Sequence, residues 1–231
     1  MASVDVNTSI RKVANLASQL NLDFHHGSRV SLKVSDELKK LTRSSPYYKE
    51  IYNRIADYSE YNLMLNDRAC FQFYEKSCAG GIQELRYAYY PNPYQFLEYQ
   101  KELKDCNDLL NHEIITEEEY SQMIREAIFT HEILLIRYDY SPTQYEEKFH
   151  PASHFHIGFH SENRWPVTRV LTPYSFFLKI LAMYYSDIWK SNFEIKDHET
   201  LNDIFNLARR ESYQIPIEYW NDEDKKRLSI S

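Results

Sequence analysis

The chain has 231 residues, of which 43% are hydrophobic; that is enough for one large domain with a substantial core and excludes a disordered chain. Its formal charge of −7 excludes a protein that coats DNA or RNA through a general basic field, because such binding needs many Lys and Arg against phosphates. Glycine occurs only at Gly27, Gly80, Gly81 and Gly158, which leaves no phosphate-cradling loop of the GxxxxGK or GxGxxG kind.

The N-terminus MASVDVNTSI has no basic region followed by an apolar stretch, so no secretion signal is expected. Residues 8–22 place Ile10, Val13, Leu16, Ala17 and Leu20 at helical spacing. Alternation of Val30, Leu32 and Val34 predicts a short strand at 28–34, and Pro46 opens a second helix carrying Tyr48, Ile51, Tyr52 and Ile55. His25-His26 before Gly27 reads as a loop rather than a ligand pair. The aromatic runs 69–76 and 83–90 flank Ala79-Gly80-Gly81, a hairpin pattern. A helix is expected over 93–111, and Thr116 with Glu119 forms a capping box that starts another at 117–127. Buried strands follow at 131–140, 153–160 and 167–171. Thr172-Pro173 then caps a helix with Phe177, Ile180, Leu181, Tyr184 and Ile188 as its core stripe. A last helix is expected at 198–210. The apolar run Phe176–Tyr185 is interrupted by Lys179 and is too short to span a bilayer.

This order predicts an α+β fold. An antiparallel sheet, made of the hairpin 69–90 and strands within 131–171, packs against helices from the N-terminal, middle and C-terminal segments of a single domain, 1–231. Cys70, Cys78 and Cys106 form no CxxC pair, which speaks against a disulfide framework or a thiolate zinc site and for a reducing, cytoplasmic setting. The 20 tyrosines predict many hydroxyl hydrogen bonds, with a tyrosine-rich partner surface as the alternative.

Chemistry is concentrated in FHPASHFHIGFH, residues 149–160. Side chains alternate along a strand, so His154, His156 and His160 share one face, while Phe155, Ile157 and Phe159 face the core. On the preceding RYDY segment Arg137 and Asp139 likewise share a face. Antiparallel pairing of the two would bring Asp139 to His154 and Arg137 to His156 around a water-accessible hollow. A one-residue slip would separate them. A carboxylate orients an imidazole, and an arginine holds a phosphate with two hydrogen bonds.

Three readings stay open: acid–base chemistry on a phosphodiester, a metal site using the His-x-His spacing with a carboxylate such as Glu162, and a structural histidine face bonded to tyrosine hydroxyls and Asp139. The catalytic set is taken as His154, His156, Arg137 and Asp139. His150, His160, Arg164 and Arg169 form a substrate-binding rim, and neither a metal nor another cofactor is expected.

The block RYDYSPTQYEEKFHPASHFHIG, followed by RWPVTRVLTPYSFFLKILAMYY, resembles a bacterial family, domain of unknown function 2290. The matching positions are Arg137 to Tyr140, His150, Pro151, His154, His156, Gly158, Arg164, Pro166, Val167 and Pro173. Some relatives lie beside a helicase in phage-defence loci. The resemblance therefore implies a cytoplasmic antiphage-defence component with a helicase partner, a nucleic acid as substrate and no membrane. The RYD and His-x-His strands are also similar to a group of small ribonuclease toxins, which favours a metal-independent nuclease effector. The alternative is a non-enzymatic adaptor or regulator of the helicase.

Overall fold

Two periodicities lay out the architecture: helical stripes that must be buried, and extended segments whose side chains alternate between two faces. The computed structural model of the protein describes residues 5–79, 81–94, 97–130, 135–159, 163–194, 198–220 and 226. In chain order the elements are α1 (Val6–Gln19), β1 (Asp23–His26), α2 (Asp36–Ser44), α3 (Tyr48–Asp57), β2 (Leu63–Leu65), β3 (Cys70–Cys78), β4 (Gly81–Tyr90) and α4 (Leu97–Asn111). They continue with α5 (Glu117–Thr130), β5 (Ile136–Tyr140), β6 (Ser153–Ile157), β7 (Trp165–Pro166), α6 (Pro173–Tyr184), α7 (Ser186–Trp189) and α8 (His198–Glu211). Among the described residues the strands form one sheet in the order β1 to β7, antiparallel throughout. The fold is α+β.

The sheet has two unlike faces. On one, Phe71 and Phe73 of β3, Leu85 and Tyr87 of β4 and Tyr138 of β5 pack against α1, α6 and α8. Each large side chain fully buried there contributes roughly 1.5–3 kcal/mol. On the other face, α2 and α3 cover Met64, Cys70, Ala88 and Tyr90 with Leu38, Ile51, Tyr52 and Ile55. Tyr138 locks β5 and β6 to the chain that leads into α6. Its hydroxyl lies 2.9 Å from Ser153 Oγ and accepts from the Leu171 N–H at 3.0 Å.

Both expected caps form. Thr116 Oγ1 accepts from the Glu119 N–H at 3.2 Å while the Glu119 carboxylate accepts from the Thr116 N–H at 2.8 Å. Thr172 Oγ1 accepts from the Ser175 N–H at 3.0 Å, with Pro173 in the first turn of α6.

Several expectations change. His25 and His26 lie in strand β1, because Gly27 serves close approach rather than a turn: a Cβ there would stand 2.1 Å from the Tyr61 carbonyl oxygen. Residues 28–34 form no strand. Asn62 ties that segment down instead, donating to the Ser28 and Val30 carbonyls and accepting from the Phe73 N–H. Only Trp165–Pro166 pairs with β6 as a third strand. The 167–171 stretch bonds the C-terminal segment through Val170 N–H to Tyr213 O and Ile215 N–H to Thr168 O.

Candidate active site on the second sheet face

β5 buries Ile136, Tyr138 and Tyr140 and turns Arg137 and Asp139 to the opposite face. β6 pairs with it so that Arg137 opposes His156 and Asp139 opposes His154. The register is the one that brings the four side chains together. Pro166 of β7 lies across from His154, and Arg86 of β4 lies across from Asp139 on its other side.

Three potential ligand atoms converge here. His154 Nε2 is 3.0 Å from His156 Nε2, and His156 Nε2 is 3.5 Å from Asp139 Oδ2. All three atoms fall within 4.8 Å of one another. His154 Nδ1 lies 2.8 Å from the Pro151 carbonyl oxygen. A carbonyl only accepts, so this bond puts the ring proton on Nδ1 and leaves Nε2 with its lone pair turned toward His156 and Asp139. Among the described residues, neither ring bonds a tyrosine hydroxyl.

The imidazoles are not open to water: His154 is 1% exposed and His156 6%. Asp139 and Arg137 are half-buried, so access to the cluster comes from their side. Burial, then the neighbouring His156, lower the His154 pKa to about 4, so the ring is neutral at physiological pH. Burial alone would raise the Asp139 carboxyl. The His156 contact and the Arg137 guanidinium outweigh it, and Asp139 is held below the ordinary carboxylate value. Among the described residues, Arg137 Nε is buried with no hydrogen-bond partner.

The expected rim separates into three parts. His150 stands edge-on to His154, with ring centroids 5.0 Å apart; burial and the nearby Arg164 charge lower its pKa. Arg169 does not belong to the site. Its guanidinium donates to the Arg209 and Ser212 carbonyls, and its backbone carbonyl accepts from Ser153 Oγ on the core face, so it fastens the end of α8. His160 and Glu162 lie outside the described residues. Ile157 and Phe159 also depart from the expected core alternation. Ile157 is exposed, and Gly158 at φ +92° ends β6, sending Phe159 to pack edge-on against Tyr48 on the second face. Arg86 and Tyr90 were missed. Both carry charge or a hydroxyl on the site face, and the hairpin register would have revealed them.

A family model described as "Uncharacterized conserved protein (DUF2290)" matches residues 15–217. The chain belongs to that family. In this DUF2290 protein the matched span includes both paired strands and the whole cluster. Neither a curated protein nor a solved structure matches it. Among the described residues, no helix is long and apolar enough to cross a membrane.

Proposed function

We propose that this protein cleaves phosphodiesters as the effector of a bacterial antiphage-defence system and works beside a helicase. The chemical half of the proposal rests on one observation, the β5–β6 register that gathers Arg137, Asp139, His154 and His156 on one face. The defence setting and the helicase partner rest on the resemblance of the 137–189 block to DUF2290 proteins. In the reaction a water oxygen adds to phosphorus, the ester P–O bond breaks, and a proton passes to the leaving oxygen. Arg137 is suited to hold the non-bridging oxygens with paired N–H groups, and Asp139 to take the proton from water. The imidazoles act from beneath, because rings this buried do not touch a polymer backbone directly.

The adaptor reading rested on a tyrosine-rich surface. Nine tyrosines, Tyr138 and Tyr87 among them, are buried, while Tyr47, Tyr58 and Tyr94 are exposed, so the surface that reading draws on is smaller than the 20 tyrosines imply. The deciding experiment incubates the purified protein, alone and with its helicase, with labelled RNA, single-stranded DNA and duplex DNA. Cleavage is expected, with Arg137→Ala and Asp139→Asn each reducing it at least 100-fold while both variants remain folded by circular dichroism. Substrate left intact under every condition would leave the adaptor reading in its place.

A further inference from the structure

We infer that Asp139, His154 and His156 bind one divalent first-row transition-metal ion. The inference deepens the hydrolytic reading of the same site and rests on that reading only for the ion's purpose: with the ion bound, Asp139 would be a ligand and the ion would take over from it the activation of water. The spacing of the donor atoms carries it. With metal–ligand bonds of about 2.1 Å, neighbouring donors stand about 3.0 Å apart at a right angle and about 3.4 Å apart at the tetrahedral angle. The observed separations are 3.0 Å for the imidazole pair and 3.5 Å for His156 and Asp139, and all three donor atoms lie within 4.8 Å of one another, so the half-buried Asp139 carboxylate would close toward His154 as the ion binds.

The surroundings fit as well. The Pro151 carbonyl fixes the His154 tautomer that presents Nε2, which is the outer contact a ligating histidine usually makes. Two nitrogens and one oxygen suit zinc, iron or manganese rather than calcium or magnesium. Three protein ligands are the number that leaves a position for water, and Arg137, opposite His156 in the strand register, brings a positive charge to the same face for an anion. The sequence alone offered a carboxylate such as Glu162 and no firmly spaced third ligand. The strand register supplies Asp139.

The test uses untagged full-length protein, stripped with a chelator and then titrated with zinc chloride by calorimetry. Binding of one equivalent is expected, together with a zinc-dependent rise in melting temperature. His156→Asn and Asp139→Asn should each weaken binding at least tenfold and lose the rise. Should His156→Asn fail to fold, Asp139→Asn decides, since its side chain is 26% exposed and tolerates the isosteric change. Absence of a bound equivalent, or equal binding by the wild type and Asp139→Asn, overturns the inference. Zinc bound without cleavage of any substrate would refute the nuclease proposal and leave the metal site standing. Cleavage that survives chelation in protein that binds no zinc would do the reverse.

Discussion

Replacing His154 by alanine removes an imidazole that is 1% exposed, and it strips the Pro151 carbonyl of a 2.8 Å donor and His156 Nε2 of its 3.0 Å neighbour. Truncating a large side chain at a closed position costs roughly 2–5 kcal/mol, and a buried acceptor left without its donor costs roughly 1–3 kcal/mol. The two overlap, because relaxation that fills the space also re-pairs the carbonyl, so a total of roughly 3–5 kcal/mol is expected. At roughly 2–4 °C per kcal/mol for a chain of this size, the melting temperature should fall by about 6 °C or more. Differential scanning calorimetry of chelator-treated protein at neutral pH measures this. His150→Ala, which truncates a half-buried ring, provides the comparison and should cost clearly less. A shift of less than about 2 °C for His154→Ala would refute the enclosure argument. It would return the ring to the role of an open proton carrier, with direct access to substrate. The outcome also governs how catalysis is tested, since an alanine variant that is half unfolded reports on folding rather than chemistry.

Two further outcomes follow from the same contacts. Tyr138→Phe keeps the ring but deprives the half-buried Leu171 N–H of its acceptor and the buried Ser153 hydroxyl of its neighbour, so a loss of roughly 1–3 kcal/mol is expected in urea denaturation, and a loss below about 0.5 kcal/mol would refute the anchoring role. In metal-free protein, His154 is neutral when folded, with a pKa of about 4 against 6.5 for an ordinary histidine, so between those values the unfolded chain binds a proton that the native state does not. Stability should therefore be complete above pH 6.5 and fall toward pH 4, by up to about 1.4 kcal/mol per pH unit. Asp139, also lowered, extends the loss in the same direction at more acid pH, and a flat urea midpoint across this window would show that the ring is already charged in the fold.

Legibility in the sequence followed the strength of the local pattern. The alternation in IRYDY and SHFHI is strict, so the faces could be read, whereas the register was an assumption that a one-residue slip would have undone and that the pairing bears out. Caps with two reciprocal bonds were equally legible. The α2 helix escaped notice because only Leu38 of its nine residues is buried, which leaves little stripe to see; Ser35 ahead of Asp36 and Glu37 was its real signal. What periodicity cannot convey is depth. Whether His154 lies in an open hollow or in a closed layer depends on neighbours such as Pro166 and His150, brought there by β7 and by the loop before β6. Arg169 misled for a related reason: its charge is visible in sequence, but its partners lie 40 and 43 residues away.

The second face of the sheet contains its own control experiment. Along β2, β3 and β4 it holds Met64, Cys70, Ala88 and Tyr90 under apolar residues of α2 and α3, with Gln72 and Arg86 as the polar positions toward the far end of the β3–β4 hairpin. Along β5 and β6, on the same face of the same sheet, stand a guanidinium, a carboxylate and two imidazoles. Apolar packing is evidently available to this chain, and replacing buried charged groups by well-packed apolar ones is often neutral or stabilising. Among the described residues the polar stretch also leaves Arg137 Nε and His156 Nδ1 buried with no hydrogen-bond partner, which costs free energy. Convergent lone pairs beside a fixed positive charge are what both the phosphodiester and the metal proposals draw on, and each would give that cost a purpose.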